Sequence, residues 1–294
     1  EEDFKNNHLE ANLRALKKHI RIAKEKSQNG IIGVNLMVAM NNYAEHVKAA
    51  IDSGVDLIIS GAGLPSHLPK FTKGSNVKIA PIVSSLKAAK VILKLWDRHH
   101  KVSPDMIVIE GPKAGGHLGF TKESLEDESK KFDSTILDII KETSIYEDKY
   151  EKKIPIIVAG GVFDGKDIAK YLKLGASGVQ MSTRFVATYE CDANIKFKEA
   201  YINCNKESIS IVKSPVGMPG RAMQNSFVKK TKKEKIPVKK CYQCLIPCDV
   251  KTTPYCISGA LINAAKGNLD EGLVFSGSNG YRNDKIISVK ELMD

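Results

Sequence analysis
The sequence predicts an α/β protein, a TIM-type (β/α)8 barrel that lacks its first two strands and is followed by a smaller helical C-terminal domain. Three observations support that expectation. Near-continuous apolar runs alternate with amphipathic stretches, the pattern of a parallel sheet covered on both faces. Several runs close in glycine or other small residues, and one ends in paired glycines and a histidine, at the strand end where such barrels keep their chemistry. Six strand–helix units can be counted where a closed barrel needs eight. Because the chain opens on a helix and on Glu1 rather than methionine, the simplest account is that two upstream units are absent from it. An open six-stranded doubly wound sheet is the alternative.

The first element is a helix over 3–28, in which Phe4, Leu9, Leu13, Leu16, Ile20 and Ala23 recur at helical spacing with charges between them. Asn29-Gly30 ends it with a left-handed cap. Residues 31–37 form an apolar strand interrupted by Asn35, whose amide needs a partner in a buried strand, from the backbone or from a ligand. Helix 42–53 and Gly54 lead to a strand at 55–63, and a strand at 78–85 opens into helix 86–99. The strand at 105–111 runs into Ala114-Gly115-Gly116-His117, followed by a charged helical excursion over 121–150. A strand at 154–161 closes in Gly160-Gly161, helix 166–174 follows, and the last strand, 178–184, carries Gln180, Ser182 and Thr183.

Three of these strand ends suggest binding chemistry. Glycine lets the backbone take otherwise closed conformations and come near a flat ligand, which places Gly115 and Gly116 beside such a ligand and His117 at its rim. If the strand at 178 is the eighth, Gly160, Gly161, Gln180, Ser182 and Thr183 occupy the two loops where barrels bind phosphate through backbone amides and hydroxyls.

The chain has 294 residues, is 42% hydrophobic and carries a formal net charge of +11. No apolar run approaches the roughly 20 residues of a transmembrane helix and no signal peptide is visible, so a soluble cytoplasmic protein is expected. The lysine run at 229–235 has no interleaved aromatics and no nucleic-acid motif, which makes it a solvated loop rather than a nucleic-acid surface. Cys241, Cys244, Cys248 and Cys256 cluster in a chain without a secretory signal; they are candidates for zinc or iron–sulfur ligation, or else reduced, partly buried thiols.

Four ordered segments, GVNLM (33–37), EGPKAGGHLGF (110–120), IPIIVAGGVFDG (154–165) and GASGVQMSTRF (175–185), together resemble the nitronate monooxygenase family, with the flavin-dependent enoyl-acyl carrier protein reductases as close relatives. The resemblance implies an FMN-binding barrel over 1–185, a helical lid segment with the cysteines over 186–256, and a C-terminal helix and return segment over the active site at 257–294. It implies that Asn35 contacts the flavin, Gly115 and Gly116 lie beside its ring, and His117 is the catalytic acid or base. Gly160 and Gly161, with Gln180, Ser182 and Thr183, would hold the ribityl phosphate. The family's glycine-rich loop after its first strand has no counterpart here. The activity implied is oxidation of alkyl nitronates by molecular oxygen through FMN; the alternative is reduction of an enoyl thioester by NAD(P)H. A homodimer acting on a small-molecule substrate, without membrane or nucleic acid, completes the expectation. Residues around Pro215-Val216-Gly217 and Gly277-Ser278-Asn279 would roof the site.

Overall fold
Each apolar run becomes a strand in the computed structural model, which describes residues 6–28 and 30–294. The strands are β1 (Gly33–Met37), β2 (Leu57–Gly61), β3 (Lys78–Val83), β4 (Ile107–Glu110), β5 (Gly116–His117), β6 (Ile156–Ala159), β7 (Gly178–Gln180), β8 (Ile209–Lys213) and β9 (Pro219–Met223). The parallel strands pair in the order β1-β2-β3-β4-β6-β7, and β5-β9-β8 form an antiparallel sheet. The six parallel strands are the six that the apolar runs predict. The chain divides into two compact units, the described part of Glu1–Ile109 with Thr135–Ile157, and Glu110–Ser134 with Val158–Asp294.

In the first unit the helix observed at the start is His8–Lys26, opened by Asn7, whose side chain accepts from Glu10 N. The expected Phe4 and Asn29 lie outside the described residues. β1 to β3 run parallel in register, Val34 opposite Ile58 and Ile58 opposite Ile79. Helices Tyr43–Asp52 and Leu86–His100 bury Val47, Ala50, Ile92, Leu93 and Trp96, and the indole N–H of Trp96 donates to Pro65 O at 3.0 Å. An aspartate stands just ahead of two of the strands and ties neighbouring backbone. The Asp56 carboxylate accepts from Ile32 N at 2.8 Å and Lys24 Nζ at 2.9 Å, and Asp105 from Ile79 N at 2.9 Å and Lys152 Nζ at 2.7 Å. The backbone donor and then Lys24 hold the Asp56 carboxyl below its ordinary range. The reading of 31–37 as a buried strand needs correction at Asn35. β1 has β2 as its single strand neighbour among the described residues, Asn35 is exposed, and Ile31 is 82% exposed. An exposed amide meets water, so the argument that it needs a buried partner falls away.

The second unit holds what the apolar runs did not signal. The segment expected to be helical after 185 contains helices Ile195–Ile202 and Ser226–Thr231 but also the hairpin β8–β9, in register from Ile209 opposite Met223 to Lys213 opposite Pro219. Its connection is a turn in which Gly217 N donates to Ser214 O at 3.0 Å, with Pro215 in the second position and Gly217, at φ +84°, in the fourth. β5 adds to the other side of β9, Gly116 opposite Arg221 and His117 opposite Gly220. Tyr201, Met223, Ala264 and Val274 form a buried cluster beneath this sheet's strand β9, and the Tyr201 hydroxyl donates to Phe275 O.

Candidate functional site
Three loops and one later segment of the second unit meet around a cleft of about 100 Å³. The tip of β4 brings Glu110, Ala114 and Gly115; the tip of β6 brings Gly160 and Gly161; Gln180, Ser182 and Thr183 follow β7; Gly277 and Asn279 come from the C-terminal segment. Backbone geometry explains why glycines stand here. Gly160 and Gly161 have φ of +93° and +86°, a region that favours glycine. A Cβ on Gly160 would stand 2.9 Å from Gly111 O, and one on Gly161 would stand 2.8 Å from Lys113 Cβ. Loop therefore packs on loop with no room for a side chain.

The donors at this cleft are only partly used. The amides of Gly161, Ser182 and Thr183 have no acceptor among the described residues. Thr183 Oγ1 accepts from Gly277 N at 3.0 Å, which leaves its own O–H to give. Unspent N–H and O–H groups converging on one small space are what an oxyanion needs.

The C-terminal segment straps the loops together. Asn279 Nδ2 donates to Gly161 O at 2.6 Å, and Ser278 N donates to Lys113 O at 3.0 Å. Arg282 pairs with Asp164 at 2.6 Å and Asp167 at 3.4 Å, the two carboxylates that cap helix Gly165–Lys173. Its guanidinium also lies 4.3 Å from the centre of the Phe163 ring, and that of Arg184 lies 4.6 Å from the same ring. Gly277 and Asn279, from the segment expected as a roof, lie on the wall of the cleft.

His117 sits one step further along, on β5. Its Nε2 is 2.6 Å from Ser214 Oγ, and its ring meets Phe275 edge-on with centroids 5.1 Å apart. Burial pushes its pKa down to about 4, so the imidazole is neutral at pH 7. Ser214, not His117, lines a larger groove of about 720 Å³ with Phe120, Lys122, Ile211, Lys213 and Met218. The hairpin turn read from the sequence as roof therefore holds the imidazole's partner.

Of the residues singled out from sequence, Gly115, Gly160, Gly161, Gln180, Ser182 and Thr183 come together at the cleft. Gly116 and His117 are paired into the antiparallel sheet and do not line it. Asn35 is on β1, in the first unit. A Cβ at position 115 would stand 2.5 Å from Gly277 N, so close packing of the two segments requires glycine there. Glu110 and Ser214 were not anticipated, and Asn279 was expected only as part of a roof, without its bond to Gly161. A carboxylate closing an otherwise apolar strand is the signal that could have found Glu110; no local pattern marks Ser214, which is 97 residues from its imidazole.

Two readings of the cysteines were open, metal ligands or reduced thiols. No group of three or more His, Cys, Asp or Glu among the described residues is placed to hold a metal. Cys241, Cys244, Cys248 and Cys256 are free thiols, and Cys256 Sγ accepts from Gly259 N at 3.4 Å, capping helix Ile257–Ala265. Cys241 Sγ likewise accepts from Gln243 N at 3.3 Å, so these two thiols serve the local backbone. No helix among the described residues is long and apolar enough to cross a membrane.

Comparison with known proteins extends the reading. A sequence profile of the nitronate monooxygenase family matches residues 5–294. A probable nitronate monooxygenase of Staphylococcus saprophyticus is 26% identical over 197 residues, 66% of this chain and 51% of that protein. One from Staphylococcus aureus MSSA476 is 29% identical over 185 residues, 62% of this chain and 48% of its own length. The chain thus spans about half the length of the curated relatives it matches. Among solved structures, FabK from Thermotoga maritima superposes with a TM-score of 0.70 at 24% identity, over 94% of this chain and 79% of FabK. The nitroalkane oxidase of Streptomyces ansochromogenes gives 0.64 at 17% identity, over 90% and 78%. With a match that runs from residue 5 to the last residue, this chain belongs to the nitronate monooxygenase family.

Proposed function
We propose that the protein is a flavin-dependent oxidoreductase that binds FMN by its phosphate in the cleft and oxidises alkyl nitronates with molecular oxygen. The observation that supports this reading is the convergence of unspent amides of Gly161, Ser182 and Thr183 on a cleft where Gly160 and Gly161 leave no room for a side chain. The residues fit one end of the cofactor. A cleft of about 100 Å³ is well below the roughly 300 Å³ or more of a whole ligand pocket, so it suits a phosphate group and not a tricyclic ring. When bound, the flavin supplies the electron acceptor and the reaction with oxygen; the protein supplies binding and orientation.

Within this reading Gly160, Gly161, Gln180, Ser182 and Thr183 hold the phosphate, with Gly115 at the cleft's margin. Gly116 and Asn35 are assigned to the ring by family resemblance alone. His117 is the catalytic group, and its chemistry follows from its burial. An imidazole with a pKa near 4 accepts a proton poorly from a neutral nitroalkane, but it is well suited to give one N–H hydrogen bond to the oxygen of an anionic nitronate. Substrate therefore arrives already deprotonated. The Ser214 hydroxyl fixes the ring by its bond to Nε2, and Phe275 backs the ring on its edge.

The groove that Ser214 lines, with its apolar walls and two lysines, favours a second reading, in which an enoyl thioester is reduced with NAD(P)H. One assay separates the two. Protein reconstituted with FMN is mixed with an alkyl nitronate under air, and separately with NADH or NADPH and an enoyl thioester without oxygen. Turnover of the nitronate, lost by at least a hundredfold in His117→Ala while FMN stays bound, is expected. Turnover of the thioester alone would overturn the first reading.

A further inference from the structure
Glu110 is the one titratable group on the wall of the cleft; its neighbours there bring backbone, amide and hydroxyl groups or apolar side chains. It closes β4 after three fully buried residues, Ile107, Val108 and Ile109. No hydrogen bond or ion pair reaches its carboxyl among the described residues. The charged groups on the surrounding elements are turned elsewhere. Arg184 and Arg282 lie over Phe163, with Arg282 paired to Asp164 and Asp167, Arg221 donates to Ala114 O, and Lys113 is exposed. A carboxylate here would be bare, and it would share a small, poorly hydrated space with any oxyanion that the unspent amides attract. Two like charges so placed cannot both persist, whereas a carboxylic acid has an O–H to give.

We propose that Glu110 serves the cleft as a neutral acid, its O–H donating to an oxygen of the bound oxyanion, so that binding draws one proton into the protein. This rests on the reading of the cleft as the phosphate site. Glu110 is then a specificity residue. It contributes a donor where a permanent anion would repel, and it makes occupancy of the cleft fall as the solution becomes alkaline. With no opposing cation, burial alone raises its pKa to about 7. At pH 8 most of the free protein therefore carries the carboxylate, and the proton comes from solvent on binding.

The test is calorimetric titration of the full chain with FMN between pH 6 and 9, in two buffers of different ionisation heat, for wild type and Glu110→Gln. Above pH 7 the phosphomonoester is already a dianion, so its own titration drops out. Wild-type affinity is expected to fall about tenfold per pH unit above 7, with close to one more proton taken up at pH 8 than by Glu110→Gln, whose affinity stays level. Affinity that holds or rises between pH 7 and 9 in the wild type, or a variant that follows the wild-type slope, overturns the proposal. Absence of FMN binding at every pH in both proteins is a different failure, since it removes the phosphate site itself.

Discussion
His117 and Glu110, seven positions apart, are half-buried in the same unit and pushed in opposite directions. Each loses the solvation of its charged form, so the imidazole falls to about 4 and the carboxyl rises to about 7. The consequences for stability have opposite sign. His117 contributes stability that is complete above its ordinary pKa near 6.5 and is lost as pH falls through 4. Glu110 contributes stability that is complete below 4.5 and is lost as pH rises through 7. Each span is worth on the order of 3 kcal/mol. Between 4.5 and 6.5 the two slopes oppose. Glu110→Gln removes one of them, so chemical denaturation at a series of pH values should show the variant gaining on wild type as pH rises from 5 to 7. A difference that stays constant over that interval would mean that the carboxyl is not held neutral.

At the scale of the element, the strap from Gly277 to Arg282 decides how firmly the cleft is shaped. Its attachments are one ion-paired guanidinium stacked on Phe163, one side-chain amide on Gly161 and backbone bonds to Lys113 and Thr183. Arg282 is partly exposed, so its pairs and its ring contact together are worth about 1 to 2 kcal/mol. Arg282→Ala is expected to weaken FMN binding roughly tenfold while the helix Gly165–Lys173 keeps its own cap from Asp164. Unchanged affinity, measured by flavin fluorescence, would show that the strap does not shape the site. The elements also show what a sequence can reveal. Strands such as 55–63 and 154–161 announce themselves because burial on both faces leaves them almost no polar positions. β5 is two residues long and pairs with a strand more than 100 positions later, so no local periodicity records it. The hairpin was missed in a segment expected to be helical; Pro215 and Gly217, read as roof, mark a turn without saying which strands it joins.

For the whole molecule, the legible part was the order of parallel strands and the glycines at their tips, because glycine is required wherever loops pack this closely. The illegible part was convergence. Nothing near Thr183 announces Gly277, and nothing near Gly161 announces Asn279, since these bonds span 94 and 118 positions. The cysteines left two readings open for the opposite reason. Their spacing is close in sequence, but at least two of the thiols are spent on backbone donors nearby. Family membership fits this division, since the matched profile runs across both compact units and the fold follows FabK over most of the chain. The central claim is that the cleft after β6 and β7 binds a phosphate. Titration of the full chain with FMN and, separately, with riboflavin tests it most directly, because the two ligands share every atom of the ring and differ in the phosphate. FMN should bind at least tenfold tighter and be displaced by inorganic phosphate, whereas equal affinity for the two, untouched by phosphate, would contradict the account.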